Sequence, residues 1–227
     1  MKKTSYHPDW QVNRINFILS KYPTEFFKGK RILEVGAYNG YIGAYFSTLG
    51  AEVHCLEGRP ENVVNIKNDY PMVSAEVVDL DTPDWKWGHY DIIINFGLYY
   101  HLEKYHKEHL ENCINNCDLM FFETVVYDSF EPGIYFRYET GYDQSLSNNG
   151  GTPSTSYVEN IFNENNFMDQ YIKYIDTHIY KLFPKKQDAQ TADAIVELFR
   201  KRETLEIFNK KALYIYIREI TDVSTPQ

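Results

Sequence analysis

Short apolar runs alternate with segments of helical periodicity through the first half of the chain. Five of these runs have the length and the Ile, Val, Leu and Phe content of buried strands, at residues 32–35, 51–57, 73–80, 90–96 and 118–124. Between the first two runs, Ile42, Tyr45, Phe46 and Leu49 recur at the spacing of an amphipathic helix. Strands that alternate with helices predict a doubly wound α/β fold with a mostly parallel sheet.

The second half of the chain is less regular. Two further runs, at residues 168–176 and 212–220, suit strands and bring the predicted sheet to seven. Three insertions or extensions are expected around it: an N-terminal helical cover at residues 1–29, a lid loop at 125–153, and a helical insertion at 177–211. We expect all 227 residues to form a single domain, with the insertion either covering the pocket or forming a homodimer contact.

A turn with two glycines joins the first strand to the first helix. Gly36 and Gly40 let the backbone approach a ligand without a Cβ in the way, and the helix that follows presents free N–H groups and a positive dipole end. The next strand ends in Glu57, where α/β nucleotide-binding folds place a carboxylate for ribose hydroxyls. Asp79 closes the third run in the same way. A glycine turn alone is ordinary α/β geometry, so the two acids carry the prediction of a nucleotide-like cofactor.

Two side chains near the ends of later strands are candidate catalytic groups. His101 follows the fourth strand and should lie at the carboxyl edge of the sheet, where doubly wound folds bind ligands. Because an unperturbed imidazole has a pKa of about 6.5, it suits the removal of a proton from a hydroxyl or an amine. The alternative is a histidine that only packs or caps. Glu123, at the end of the fifth strand, is the other candidate base.

Residues 30–124 resemble the class I S-adenosylmethionine (SAM)-dependent methyltransferases. The acid-x-Gly-x-Gly-x-Gly loop of that family is matched by Glu34, Gly36 and Gly40, with Tyr38 at the place of the usual middle glycine. The resemblance implies SAM as the cofactor, S-adenosylhomocysteine (SAH) as the product, and an antiparallel last strand. The cofactor-binding residues that it implies are Glu34, Gly36, Ala37, Tyr38, Gly40, Glu57, Gly58, Asp79, Leu80, Asn95, Phe96 and Gly97.

The resemblance also implies how the parts of SAM are held. Glu57 would bind the ribose hydroxyls and Asp79 the adenine amino group, with residues 95–98 under the methionine segment. Since the lid loop leaves the end of a central strand, we expect it to arch over the same pocket. The candidate acceptor contacts are Tyr100, Tyr135, Arg137 and Tyr142. The predicted activity is transfer of a methyl group from SAM to oxygen or nitrogen of a small molecule.

Composition narrows the choice of substrate and compartment. The formal net charge is −9 and no run of five basic residues occurs, which makes nucleic acid an unlikely partner. No apolar run is long enough to span a bilayer, and the polar N-terminus lacks the apolar segment of a signal peptide, so we expect a cytoplasmic protein without membrane contact. The three cysteines are too few for a disulfide framework and are expected to be reduced.

Several alternatives compete with this interpretation. Tyr100 and Lys104 spell the Y-x-x-x-K of short-chain dehydrogenases, but directly after the fourth strand, which is too early in the chain for that family. His106 and His109 have the spacing of metal ligands, yet no H-E-x-x-H pattern occurs, so a solvated helix face is preferred and no metal is predicted. A protein or wobble-uridine tRNA methyltransferase, and a non-catalytic module that keeps the SAM fold, also stay open.

Overall fold

The computed structural model describes residues 9–83, 85, 88–127, 129 and 131–165. All of these lie in the first of two compact units, Met1–Asp169. The predicted strands at 168–176 and 212–220 and the helical insertion at 177–211 lie outside the described residues. The sheet of seven strands, the antiparallel last strand and the single domain therefore stay predictions.

Five parallel strands form the central sheet, in the order β3-β2-β1-β4-β5. Their bounds are Arg31–Val35 (β1), Glu52–Glu57 (β2), Ser74–Val77 (β3), Tyr90–Phe96 (β4) and Cys117–Glu123 (β5). The five predicted strands of the first half are confirmed to within a few residues. Ile32 in the central strand pairs with Val53 on one side and Ile92 on the other. These strands are nearly continuous apolar runs because helices cover both faces of the sheet.

In the described part of the chain, five helices accompany the sheet. They are Asp9–Leu19 (α1), Tyr41–Thr48 (α2), Pro60–Asp69 (α3), His106–Asn115 (α4) and Thr155–Glu164 (α5), with short 3-10 turns at Thr24–Phe27 and Tyr99–His101. Successive strand residues face opposite sides. Ile32 packs in the cluster of Phe46 and Ile66, whereas Leu33 packs with Cys113 on the other side. These two apolar clusters lie on opposite faces of the sheet, and a third joins α4 to α5 through Leu110 and Val158.

The sequence from His101 to Cys117 predicts one helix, whereas α4 begins at His106, five residues later. The carboxylate of Asp81 accepts hydrogen bonds from the backbone N–H groups of Glu103, Lys104 and Tyr105 at 2.9, 3.0 and 3.0 Å. A carboxylate that gathers successive N–H groups holds the chain in a loop just before the helix starts. His101 is thereby kept in the 3-10 turn at the sheet edge instead of in the helix.

The segment that we expected to be a loop without secondary structure contains an antiparallel pair of strands. Strand β6 covers Ile134–Tyr138 and strand β7 covers Asn149–Pro153. The connection between them, residues 139–148, is called the roof loop below. Strand β7 lies close to the 3-10 turn because Gly151 donates its N–H to the carbonyl of Leu102 at 2.7 Å, and a Cβ at Gly151 would stand 2.5 Å from the His106 ring. Glycines in this strand hide it from hydrophobic patterning.

Among the described residues, no helix has both the length and the apolar character needed to cross a membrane.

Candidate functional site

A cavity of about 510 Å³ opens at the carboxyl edge of the parallel sheet. Its floor is formed by the turns that follow β1 and β2, and one wall by the residues that follow β4. Residues 143–147 of the roof loop close it from above, and Trp10 and Arg14 of helix α1 line one side. The crevice beyond the carboxyl ends of the strands is where open α/β sheets bind their ligands.

The glycine turn after β1 has left-handed backbone at three positions. Gly36 has φ +70° and Gly40 has φ +71°, and a Cβ at Gly36 would stand 2.8 Å from the Cβ of Leu98. Tyr38, at the place of the usual middle glycine, has φ +52°. A tyrosine in this region costs about 1–2 kcal/mol. The turn therefore keeps the conformation that glycine favours, although a bulky residue occupies its middle.

Glu57 fixes the shape of this floor. Its buried carboxylate accepts hydrogen bonds from the backbone N–H of Tyr38 at 2.8 Å, from the N–H of Arg59 at 3.0 Å and from the Asn62 side chain at 3.2 Å. The residue thus joins the turn after β1 to the start of α3. A carboxylate has about four acceptor positions, so these three bonds leave one without a partner among the described residues.

Asp79 and Leu80 line the next part of the cavity. Asp79 is exposed, and its carboxylate accepts one hydrogen bond, from the N–H of Asp81 at 3.0 Å. The carbonyl of Leu80 accepts from Nδ1 of His109 at 3.2 Å, and Nε2 of His109 accepts from the amide of Asn95 at 2.9 Å. Burial lowers the pKa of His109 to about 4, so its ring is neutral and holds this chain in one direction.

The structure separates the predicted cofactor-binding residues into two groups. Those that line the cavity are Gly36, Tyr38, Glu57, Gly58, Asp79, Leu80, Phe96 and Gly97. Four others do not line it: Glu34, Ala37, Gly40 and Asn95. Asn95 is fully buried against His109 and lies behind the wall. Roles for these four in cofactor binding stay predictions. In the structure, Glu34 and Asn95 form hydrogen bonds with buried residues that do not line the cavity.

Glu34 is the most unusual of these four. Its carboxyl accepts from the N–H of Gly43 at 2.8 Å and from the thiol of Cys55 at 3.4 Å. A Cβ at Gly43 would stand 2.6 Å from this carboxyl, so glycine is required in the helix there. Burial raises the pKa of Glu34 to about 7.

His101 lines the cavity and is held by a residue that the sequence did not point to. Its Nδ1 lies 2.6 Å from Oε2 of Glu139, the first residue of the roof loop. Burial lowers the pKa of His101, although Glu139 acts in the opposite direction. The ring is therefore neutral near pH 7, the state that a base requires.

Glu123, the other candidate base, does not line the cavity. Its carboxylate forms an ion pair with Arg14, which does line it. Arg14 stacks over the ring of Trp10 at 4.4 Å and approaches Gly97, where a Cβ would stand 2.7 Å from the guanidinium. The N-terminal helix thus brings a cation to the wall that follows β4.

The four candidate acceptor contacts do not lie together. Tyr100 lines the cavity. Tyr135 is exposed on β6, and Arg137 on the same strand pairs with Glu139 at 3.2 Å. Tyr142 is exposed in the roof loop, where its hydroxyl donates to Glu61 at 2.9 Å. Only one of the four is thus among the residues that line the described cavity.

The interpretation of His106 and His109 as a solvated helix face was wrong. Both rings are buried, with exposures of 1% and 0%. Nε2 of His106 lies 2.8 Å from the Gly151 carbonyl, so the helix carries these rings toward β7 and the sheet. No cluster of three or more metal-ligating side chains is found in the part of the chain that the structure describes.

Sequence reasoning missed Arg14 and Glu139. Arg14 had a weak signal, since it is a cation inside the apolar stripe of a helix expected to cover the sheet edge. Glu139 had none, because the surrounding residues show no periodicity and its partner His101 is 38 positions away.

No family model matches the sequence, and no curated protein matches it. Solved structures, in contrast, align with this chain. The N-terminal domain of EvdMO1 with SAH bound aligns with a TM-score of 0.58 and 19% identity, over 68% of this chain and 70% of that chain. The same domain in the presence of SAH and D-fucose aligns with a TM-score of 0.59 and 20% identity, over 71% and 74%.

A SAM-dependent methyltransferase from Mesorhizobium loti aligns with a TM-score of 0.52 and 14% identity, over 74% of this chain and 88% of that chain. At such low identities the likeness establishes the fold. The described part of the chain has the fold of the class I SAM-dependent methyltransferases.

Proposed function

We propose that this protein transfers a methyl group from SAM to an oxygen or nitrogen atom of a small-molecule acceptor. The observation that carries the proposal is one cavity lined by a left-handed glycine turn, by Glu57 at the end of β2 and by Asp79 beyond β3. These are the positions that the resemblance assigns to the methionine, ribose and adenine parts of SAM.

The residues present fit that cofactor in charge and shape. Gly36 and Gly97 have left-handed backbone, and the absence of a Cβ lets Leu98 and Arg14 pack closely against them in the cavity lining. Glu57 has one acceptor position free for a ribose hydroxyl. Asp79 is exposed, so its carboxylate is free to accept a hydrogen bond from the adenine amino group. We propose that Arg14 holds the carboxylate of the methionine part, since it lies against Gly97 at the opposite side of the cavity.

Bound SAM supplies a methyl group on a positively charged sulfur that is already activated for transfer. The work of the protein is then to align the acceptor with that methyl and to exclude water. Residues 143–147 of the roof loop and Trp10 close the cavity on two sides. The role of His101 is to accept, at Nε2, the proton that the acceptor loses.

Calorimetry tests the cofactor assignment. SAM and SAH should bind to the full chain, whereas NAD and NADP should give no heat. Glu57→Ala should weaken SAH binding by about 1–3 kcal/mol, the scale of a lost hydrogen bond to a charged group. The matched control is Glu52→Ala, an exposed acid at the other end of β2, which should leave affinity unchanged.

Because Glu57 also holds the glycine turn, thermal unfolding must accompany the titration. Glu57→Gln keeps the shape of the side chain and separates lost charge from lost folding. Equal SAH affinity in the wild type and in folded Glu57 variants would remove the ribose assignment, and heat from NAD would favour a dehydrogenase instead.

A further inference from the structure

Glu139 is a buried acid with more partners than a connection between two strands requires. Its side chain has 0% exposure. Oε2 lies 2.6 Å from Nδ1 of His101 and accepts the N–H of Ser145 at 3.0 Å, while Oε1 accepts from Nε of Arg137 at 3.2 Å. Both oxygens are therefore fixed in direction.

The contact with Glu139 determines which nitrogen of His101 carries the proton. Burial acts to raise the pKa of Glu139, but the Ser145 N–H and His101 outweigh it and the pKa falls below its ordinary value. The ionised carboxylate can only accept, so Nδ1 of His101 must donate. A neutral imidazole has one donor and one acceptor, which leaves a lone pair on Nε2.

Nε2 of His101 is free for a ligand as far as the described residues are concerned, since none of them forms a hydrogen bond to it. The ring itself lines the cavity, next to Tyr100 at a centroid distance of 4.0 Å. A basic nitrogen without a protein partner at a cavity wall is suited to accept a proton from a bound acceptor.

We propose that Glu139 is the positioning residue of His101: it holds the imidazole in the Nδ1–H tautomer and keeps the Nε2 lone pair available to the acceptor. The role rests on the proposed methyl transfer. When the acceptor proton moves to Nε2, the imidazolium that forms pairs with the Glu139 carboxylate, so no charge is left without a partner in the buried site.

The same carboxylate links the base to the roof loop. Ser145, which donates to Oε2, lines the cavity, and Arg59 donates to the carbonyl of Gln144 at 2.8 Å. The carboxyl group also needs the space at Gly150, where a Cβ would stand 2.5 Å from it. The roof conformation that closes the cavity is thus the one that brings Glu139 to His101.

Nuclear magnetic resonance of the imidazole nitrogens tests this assignment without knowledge of the acceptor. The full chain is labelled with ¹⁵N at histidine and measured alone and with saturating SAH, and His101 is assigned from the signal missing in His101→Ala. The wild type should show the Nδ1–H tautomer. Glu139→Gln should shift the ring toward Nε2–H, because a glutamine amide can donate to Nδ1.

The pH titration of the same signal adds a readout that a purely structural role would not move. Removing the carboxylate removes its attraction for the imidazolium, so Glu139→Gln should lower the pKa of His101 further. The second variant is Gly150→Ala, which should displace the Glu139 carboxyl group without removing its charge. In this variant too, His101 should lose its preference for the Nδ1–H tautomer. The matched control is Glu61→Ala, which removes the other acid in contact with the roof loop and should leave the His101 signals unchanged.

A wild-type His101 in the Nε2–H tautomer would overturn the proposal, even if neither Glu139→Gln nor Gly150→Ala folds. Retention of Nδ1–H and an unchanged pKa in Glu139→Gln would overturn it as well. Failure of SAH to bind would remove the proposed function, whereas the tautomer in the protein alone would still decide the role of Glu139.

Discussion

Two buried carboxylates hold the two halves of the cavity, and they differ in how they reach it. Glu57 belongs to the floor, ends a strand of the parallel sheet, and accepts N–H groups from turns next to that sheet. Glu139 belongs to the roof. It accepts hydrogen bonds from the backbone N–H of Ser145 in its own loop and from the ring of His101, which follows β4. The floor forms because the pairing of β1 with β2 aligns the ends of the two strands. The roof depends on contacts between segments that are far apart in the chain.

From this difference we expect the floor to affect mainly cofactor binding and the roof to affect mainly catalysis. The floor contains Glu57, the group proposed for the ribose. Asp79, the group proposed for the adenine, lies next to the floor beyond β3. The roof contains the partner of the only candidate base that lines the described cavity. Changes in the floor should therefore alter cofactor affinity and stability first, and changes in the roof should alter turnover first.

The largest expected effect is at the junction of the two halves. His101→Ala should reduce turnover by about 10²- to 10⁴-fold, the usual contribution of a general base. The assay is SAH release with an acceptor found by screening. SAH affinity should change little, since His101 is not among the predicted cofactor contacts.

The pH profile of the wild type checks the same assignment. The base works only when neutral, so the rate should fall as the pH drops through the pKa of His101. Burial lowers that pKa, which places the acidic limb below pH 6.5, the ordinary value for histidine. Wild-type turnover with an unaltered profile in His101→Ala would show that this ring only packs and would direct attention to Glu123.

Next in size is a change in the support of the floor. The pKa of Glu34 is raised from 4.5 to about 7, a difference worth about 3 kcal/mol. The native state keeps this proton to higher pH than the unfolded chain does. Its contribution to stability is complete below pH 4.5 and is lost as the pH rises to about 7.

Urea unfolding measures this loss. The free energy of unfolding of the wild type, relative to Glu34→Gln, should fall between pH 5 and pH 8 because glutamine does not titrate. Glu52→Gln, an exposed acid on the neighbouring strand, should show no such difference. A gap between wild type and Glu34→Gln that stays constant with pH would mean that Glu34 is ionised in the folded protein.

The smallest expected effect concerns the outer contact of the roof. Glu61 and Tyr142 are both exposed, so Glu61→Ala should alter SAH affinity by less than about threefold. Hydrogen exchange of the roof-loop amides should rise only slightly in this variant. A large loss of SAH affinity would show that the roof is held at its rim instead of through Glu139.

Shortening the roof loop sharpens the comparison further. For a shortened lid loop at 125–153, the sequence leads us to expect that turnover is lost and that SAM affinity is nearly unchanged. Yet Leu146 lies over Gly58, where a Cβ would stand 2.6 Å from its methyl group. Calorimetry on a variant that lacks residues 143–147 decides whether the roof also contributes to cofactor binding, because loss of affinity together with turnover would mean that it does.

By itself, the sequence determined the parallel core and the chemistry at its edge. Strands such as β1 and β4 are mostly apolar on both faces, and this pattern can be recognised in the sequence without knowledge of side-chain packing. Glycine turns and strand-ending acids lie within a few residues of those runs, so their places follow once the strands are known. Gly36, Glu57 and Asp79 were predicted for this reason, and all three line the cavity.

Only the tertiary structure decided which side chains complete the site. The β6–β7 pair is held by close approach at glycines and by a backbone hydrogen bond from Gly151 to Leu102, just after the 3-10 turn. Neither contact leaves a periodic trace in the sequence. His106 and His109 looked polar and solvated but are buried, because their partners are a carbonyl of β7 and a carbonyl and amide near the cavity wall. Likewise the pairing of Glu139 with His101 joins a loop to a strand end across 38 positions, and such contacts depend on folded geometry that no local pattern encodes.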